Sequence, residues 1–261
     1  MWEYKDFIDH VKKKYGIDLN LYKEAQMKRR LTSLRNKRNF DNFRTYFQAI
    51  EEDAELLEEF FDRITINVSE FYRNPKRWDI LRDNILPKLV QNKSSINIWS
   101  AACSSGEEPY SLAILFKEHF PHINLSILAT DIDEKILEKA KQGIYAPNAL
   151  KDLPIHKKSK YFKHENGLYY VLDDLKRNIT FRKHDLLKER YPTNIDLIVC
   201  RNVLIYFTDE AKDLIYKGLS EALTEEGVLF IGSTEQIFNP NQYNLSSLDT
   251  FFYQKKSEIK L

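Results

Sequence analysis

The 261-residue chain predicts an α/β fold: an open, mostly parallel sheet, preceded by a small all-helical domain and carrying an inserted antiparallel β subdomain. Three observations predict it. Residues 96–116 (INIWSAACSSGEEPYSLAILF) pass from an apolar run through a small-residue loop into a helix, the first βα turn of such a sheet. Short apolar runs near 96–100, 125–130, 179–182, 195–200 and 227–232 alternate with helical patterns near 109–120, 133–141 and 209–223. Residues 1–62 contain no Gly or Pro besides Gly16 and repeat apolar residues at helical spacing (Met27, Leu31, Leu34; Leu56, Phe60).

The order of elements follows from these patterns. Residues 1–62 form the helical domain, 63–77 a linker, and 78–261 the sheet domain. Within the first, residues 11–44 carry eleven bases against Asp18, Glu24 and Asp41, while 51–62 carries seven acids and no base. The basic helix around Lys28, Arg29, Arg30, Arg35, Lys37 and Arg38 is either a solvated face or a docking surface for an acidic partner. In the linker, Thr65, Ile66 and Val68 favour extended backbone, and Ser69 suits the N-cap of a short turn reaching Arg73. Asn74 and Pro75 then open a helix that ends near Pro87. Residues 161–181 break the α/β rhythm with short strands around a His164, Glu165, Asn166, Gly167 turn, which makes an insertion over about 160–182. A last apolar piece at 250–253 reads as a terminal strand.

Composition narrows the class. Apolar residues make up 43% of the chain, enough for a packed core, and no run of about eighteen apolar residues predicts a membrane span. The N-terminus lacks a secretory pattern, so a cytoplasmic protein is expected. Cys103 and Cys200, far apart and in apolar or small-residue contexts, are expected as reduced thiols. His119 and His122 have no Cys or carboxylate to complete a metal set; no metal is expected.

The chemistry concentrates at three strand ends. In the first loop, Pro109 suits the first helical position, with Glu107 and Glu108 just ahead of it, where the helix dipole favours carboxylates. Their charge disfavours a polyphosphate and welcomes an amine or cationic centre. Asp131 ends the second strand, where an acid accepts from both hydroxyls of an adenosine ribose; Asp133 can cap the following helix. Neither G-x-G-x-x-G nor G-x-x-x-x-G-K-[ST] is present, so an adenosine ligand without pyrophosphate remains, and S-adenosylmethionine fits. The apolar run at 196–200 delivers Arg201 and Asn202 to the same edge, with Tyr206 one turn further on. Glu235 follows the strand at 227–232 and either closes the pocket or pairs locally.

The segments NVSEFYR (67–73), IWSAACSSGEEPYSLA (98–113), ATDIDEKILEKAKQGIY (129–145), CRNVLIYF (200–207) and GVLFIGSTE (227–235) together resemble the CheR family of chemotaxis-receptor protein-glutamate O-methyltransferases. The resemblance covers nearly the whole chain. It implies a Rossmann-like S-adenosylmethionine-dependent methyltransferase sheet and transfer of methyl to glutamates of methyl-accepting chemotaxis receptors, with S-adenosylhomocysteine as product. In the family the segment N-x-T-x-F-F-R bridges the domains over the cofactor; here Ser69 and Tyr72 replace the Thr and the second Phe. By position, the resemblance assigns Asn67, Ser69, Arg73, Glu108, Asp131, Asp185, Leu186, Arg201 and Asn202 to the cofactor, and catalysis to Arg73 and Tyr206. Asp185 stands where the family often has Asn.

A glutamate carboxylate, with an ordinary pKa of about 4.3, is ionised at neutral pH, so no general base is required and the lack of a catalytic His is no obstacle. The expected partner is an acidic helical receptor region, reached by a monomer without nucleic acid or membrane insertion. In part of the family the β insertion grips a peptide tethered at the receptor C-terminus through a loop such as R-G-x-G. The shorter turn at 163–167 predicts no dependence on a tether. Two alternatives stay open: a methyltransferase acting on nucleic acid or a small molecule, and a non-catalytic S-adenosylmethionine-binding scaffold.

Overall fold

A computed structural model describes residues 3–65, 67 and 69–257; Ile66 and Val68, expected to be extended, lie outside the described residues. The chain divides into two compact units, one formed by Met1–Asn67 and Ile205–Leu214, the other by Val68–Leu204 and Ile215–Leu261.

The first unit is built on helices α1 (Tyr4–Tyr15), α2 (Glu24–Lys37), α3 (Phe43–Glu52) and α4 (Ala54–Thr65). Met27, Leu31 and Leu34 turn inward from α2, and Phe60 from α4, as the helical spacing predicts, while Leu56 is only half-buried. Phe7 is fully buried, its ring against Phe43, Tyr46, Phe47 and Phe60. Thr65 is helical rather than extended: its hydroxyl donates to the Phe61 carbonyl one turn back at 2.9 Å, a bond open to a Thr in a last turn. The unit also recruits a distant piece of chain. Tyr22 and Phe207 form an antiparallel bridge, Lys23 N–H donates to Tyr206 O and Thr208 N–H to Leu21 O, both at 2.9 Å. Residues 205–214, which the sequence assigned to the sheet domain, therefore belong to the helical unit.

The second unit opens with α5 (Pro75–Ile80), which continues through a π-helical turn (Leu81–Ile85) into α6 (Leu86–Leu89). The helix thus passes Pro87 instead of ending there; a widened turn accommodates the missing N–H. Then follow β1 (Ser95–Ala101), α7 (Glu107–His119), β2 (Asn124–Asp131), α8 (Glu134–Gln142), β3 (Ile144–Tyr145), α9 (Ile155–Tyr161), β4 (Phe162–Glu165), β5 (Leu168–Val171), α10 (Asp173–Lys176), β6 (Ile179–Lys183) and β7 (Ile195–Cys200). Helix α11 (Asp209–Ala222) and strands β8 (Leu223–Ile231), β9 (Leu245–Asp249) and β10 (Phe252–Lys255) complete the chain.

The main sheet has seven strands in the order β6-β2-β1-β7-β8-β10-β9. The first five are parallel and β10 is antiparallel to both its neighbours. Every residue of β7 is buried, as is α7 from Pro109 to Phe116, which marks α7 as a core helix rather than an amphipathic surface one. Each aliphatic or aromatic side chain buried there contributes about 2 kcal/mol. The strand order reverses between β1 and β7, so their carboxyl ends, with that of β2, frame the crevice in which open α/β sheets bind ligands.

The insertion begins and ends earlier than the expected 160–182. Its sheet has the order β3-β5-β4 and starts at Ile144, whereas β6, at 179–183, pairs with β2 in the main sheet. Asn166 and Gly167 form its two-residue turn, both at positive φ (50° and 76°), as an Asn-Gly hairpin requires.

Candidate active site

The loop from β1 to α7 is shaped by backbone that few residues tolerate. Ala102, Ser104 and Gly106 all have positive φ. At Gly106 (φ 95°) an added Cβ would lie 3.0 Å from the Ala140 Cβ and 3.1 Å from the Tyr145 hydroxyl, so glycine is required twice over. Helix α7 starts at Glu107, two residues earlier than the sequence suggested. Pro109 is its third residue, where the missing N–H still costs no helical bond, because Tyr110 is the first to bond back, to Gly106 O. Glu107 and Glu108 thus occupy the first turn itself. Ser105 Oγ donates to Glu107 Oε2 at 2.7 Å, and Ser69 also hydrogen-bonds this carboxylate, an employment beyond the turn-capping role expected of it. Burial pushes both carboxyls above the usual range, against the opposing pull of their hydrogen bonds and, for Glu108, of Arg201.

Asp131, at the end of β2, is 6% exposed. Its Oδ2 accepts from Ser104 N–H at 2.9 Å and its Oδ1 from Asp133 N–H at 3.1 Å, tying the β2 exit to the β1 loop. Burial nonetheless raises its pKa to about 6. Asp133 caps α8 as expected, accepting from the N–H groups of Lys135 and Ile136. Beyond β6, His184 N–H donates to Asp131 O. Asp185 spends a carboxylate oxygen on Leu187 N–H, and Leu186 O accepts from the Tyr191 hydroxyl at 2.6 Å.

Arg201 is the hub of the crevice. Its guanidinium is buried over the Phe230 ring and reaches Glu108 Oε2 (3.4 Å), Arg73 O (2.7 Å) and Asn74 Oδ1 (3.0 Å). Glu108 Oε1 in turn accepts from Ser100 Oγ at 2.8 Å. Asn74, expected to cap the helix at Pro75, makes no side-chain capping bond and serves Arg201 instead. The segment bearing Arg73 is strained, with Tyr72 at φ 52° and Asn74 at φ 62°. Backbone like this costs about 1–3 kcal/mol per residue and persists where surroundings over-determine it. Here Tyr72 N–H donates to Ser111 Oγ (3.1 Å), Trp78 Nε1 donates to Arg73 O (3.0 Å), and Phe71 packs edge-on against Tyr145 and Phe162. The Arg73 charge lies near enough to Arg201 to add to the depression that burial causes there.

Asn202 follows at φ 61°. Its N–H donates to Glu235 Oε2 at 2.8 Å, and the same buried carboxylate takes the N–H groups of Leu204 (2.6 Å) and Gly232 (2.8 Å). Of the two roles the sequence leaves open for Glu235, closing the pocket or pairing locally, the structure shows local pairing with three backbone N–H groups; an acid in a small-residue turn directly after a buried strand is the signal for it.

The sheet unit thus brings together Ser69, Arg73, Glu108, Asp131, Arg201 and Asn202. Two predicted residues lie in the helical unit. Asn67 Nδ2 donates to Thr65 Oγ1 at 3.1 Å, and the Tyr206 ring has the Arg30 guanidinium 6.0 Å from its centroid. The basic helix is partly employed at home. Lys28 lies over Tyr4 and Arg35 over Phe43, while Lys37 and Arg38 both pair with Glu59; Arg29 is exposed. Exposed pairs of this kind hold weakly, about 0–1 kcal/mol, and release readily to a competing carboxylate. Cys103 and Cys200 are buried free thiols, and His119 and His122 are exposed. Among the described residues no three metal-ligating side chains cluster, and no helix is long and apolar enough to cross a membrane.

The family profile described as "CheR methyltransferase, SAM binding domain" matches residues 67–252, and "CheR methyltransferase, all-alpha domain" matches residues 2–65. Two relatives, each named "Chemotaxis protein methyltransferase", from Listeria innocua and Listeria monocytogenes, are 45% identical over 254 residues, 97% of this chain and of theirs. Another of that name, from Borreliella burgdorferi, is 35% identical over 249 residues, 90% of this chain and 88% of its own. Sheet, crevice and profile define an S-adenosylmethionine-dependent methyltransferase. The chain belongs to the CheR methyltransferase family.

Proposed function

We propose that this enzyme methylates glutamate side chains of methyl-accepting chemotaxis receptors, forming γ-glutamyl methyl esters for adaptation in bacterial chemotaxis. The observation that carries the reading is the near full-length likeness to proteins named for chemotaxis, across both the all-helical and the cofactor domains. The donor set fits the cofactor: an acid at the β2 end suits ribose hydroxyls, and buried carboxylates in the first turn of α7 suit an ammonium group. S-adenosylmethionine supplies an electrophilic methyl on a sulfonium.

The chain's residues then divide the remaining work. Asp131 accepts from the ribose hydroxyls and Glu108 from the ammonium, with Asn67, Ser69 and Asn202 completing the cofactor contacts. Asp185 contributes by lining the site with Leu186, because its carboxylate is engaged on its own turn. Arg201, 7% exposed with its donors turned inward, orients Glu108 and the Arg73 backbone. The Arg73 guanidinium offers a fork for a carboxylate, and the Tyr206 hydroxyl donates to orient the attacking oxygen. The substrate carboxylate arrives ionised and the leaving thioether is neutral, so positioning is the main requirement and no side chain need move a proton. Helix α2 meets an acidic helical receptor surface through Lys28, Arg29, Arg30, Arg35, Lys37 and Arg38. The two-residue hairpin turn supports a receptor interaction without a C-terminal tether.

Receptor-containing membranes incubated with methyl-labelled S-adenosylmethionine provide the test. Label should enter the receptor and leave on mild base treatment as methanol; a base-stable product would exclude a glutamyl ester.

A further inference from the structure

The turn after β7 is the least self-sufficient part of the crevice. Asn202 sits at φ 61°, and the backbone N–H groups of Asn202 and Leu204 point away from the sheet ladder. One side chain meets both of them and clamps them to the neighbouring strand end. Glu235, 4% exposed, accepts from Asn202 N–H and Gly232 N–H through Oε2 and from Leu204 N–H through Oε1. Three donors converging on one carboxylate cannot be served by an amide, which has a single acceptor oxygen and would turn N–H groups toward N–H groups. The closeness of the two strand ends is built in. A Cβ on Gly232 would lie 2.8 Å from Asn202 N and 3.2 Å from Asn202 Nδ2. The carboxylate also faces the Arg201 charge, which its own charge favours.

We propose that Glu235 is a positioning residue for the cofactor: with Gly232 it fixes the backbone from which Asn202 contacts S-adenosylmethionine. It does not touch the ligand itself; it holds the left-handed turn that aims Asn202. The inference rests on the reading that Asn202 contacts the cofactor, and the experiment separates the two.

Calorimetric titration with S-adenosylhomocysteine, on the intact chain, compares wild type with E235Q, N202A and the double variant E235Q/N202A, each followed by urea unfolding. E235Q should raise the Kd at least tenfold while the urea transition remains cooperative. The double variant should lose little beyond the weaker single variant, because the two residues act on one contact. Glu235→Asp, which keeps the carboxylate, should recover part of the affinity. A folded E235Q with the wild-type Kd, or losses that add fully in the double variant, would overturn the proposal. If E235Q does not fold, Gly232→Ala, whose Cβ would crowd both Glu235 Oε2 and Asn202 N, disturbs the same clamp from the other side, and a wild-type Kd there overturns the proposal equally. N202A binding as wild type would remove the reading of the site, and the proposal with it.

Discussion

Asp131 offers the most quantitative handle on the cofactor site. Burial holds its carboxyl at about 6 against an ordinary 3.8, despite the N–H bonds from Ser104 and Asp133. Two pKa units correspond to about 3 kcal/mol. The sign is that of a raised acid: the folded state retains its proton more tightly, so this group's contribution to stability falls as pH rises from about 3.8 to about 6, and is fully lost above that window. Ligand binding runs the other way. Ribose hydroxyls donate best to the ionised form, so S-adenosylhomocysteine affinity should be flat above about pH 6.5 and weaken below pH 6. The loss should approach tenfold per pH unit, with a proton released on binding. Calorimetry in buffers of differing ionisation enthalpy between pH 5 and 8 measures both. D131N should reduce the pH dependence, leaving the part that Glu107 and Glu108 contribute, and weaken binding ten- to hundredfold, the equivalent of about 1.5–3 kcal/mol for hydrogen bonds to a charged acceptor. An affinity constant from pH 5 to 8, or D131N binding as tightly as wild type at pH 7.5, would refute the assignment.

Gly106→Ala should lower stability by about 2 kcal/mol or more in urea unfolding, from the strain at φ 95° and the contacts with Ala140 and Tyr145, and should weaken S-adenosylhomocysteine binding in parallel. Arg73→Ala and Tyr206→Phe should each cut receptor methylation at least tenfold at saturating cofactor with unchanged thermal transitions; wild-type initial rates in both would remove them from the mechanism. A peptide copied from the C-terminus of a tethered receptor should give no calorimetric signal at micromolar concentration, and low-micromolar binding would contradict the reading of the short hairpin turn.

Much of the sheet unit was legible because its information is local. The small-residue loop after β1 and the Asn-Gly turn each follow from backbone geometry that only a few residue types accept, and the acid ending β2 stands out by its place at the end of an apolar strand. Boundaries slipped where a longer-range contact decided them. Pro109 moved from first to third place in α7 because a left-handed Gly106 starts the helix sooner. The β insertion begins at Ile144 because that short strand is recruited by Tyr170 across the hairpin, a pairing that two residues cannot announce. The largest omission is the segment around Tyr206. Its neighbours in sequence are a sheet strand and a helix, and nothing in 205–208 signals that its backbone will bond to Leu21 and Lys23.

The same crevice gathers groups that cost stability when nothing is bound. Glu107, Glu108 and Asp131 are all shifted toward their neutral forms by burial, and Ala102, Ser104, Tyr72, Asn74 and Asn202 all hold positive φ. None of these features strengthens the core, since an apolar loop with ordinary dihedrals would be more stable. Glu107, Glu108 and Asp131 nonetheless lie about the exits of β1 and β2, where on the proposed reading they would accept from an ammonium group and from hydroxyls. A ligand at one hundred times its Kd returns about 2.7 kcal/mol, comparable to the penalty carried by Asp131 alone. The apoenzyme should therefore be measurably less stable than the complex. That difference should shrink as pH falls through 6, because protonating Asp131 relieves the penalty and weakens the ligand together.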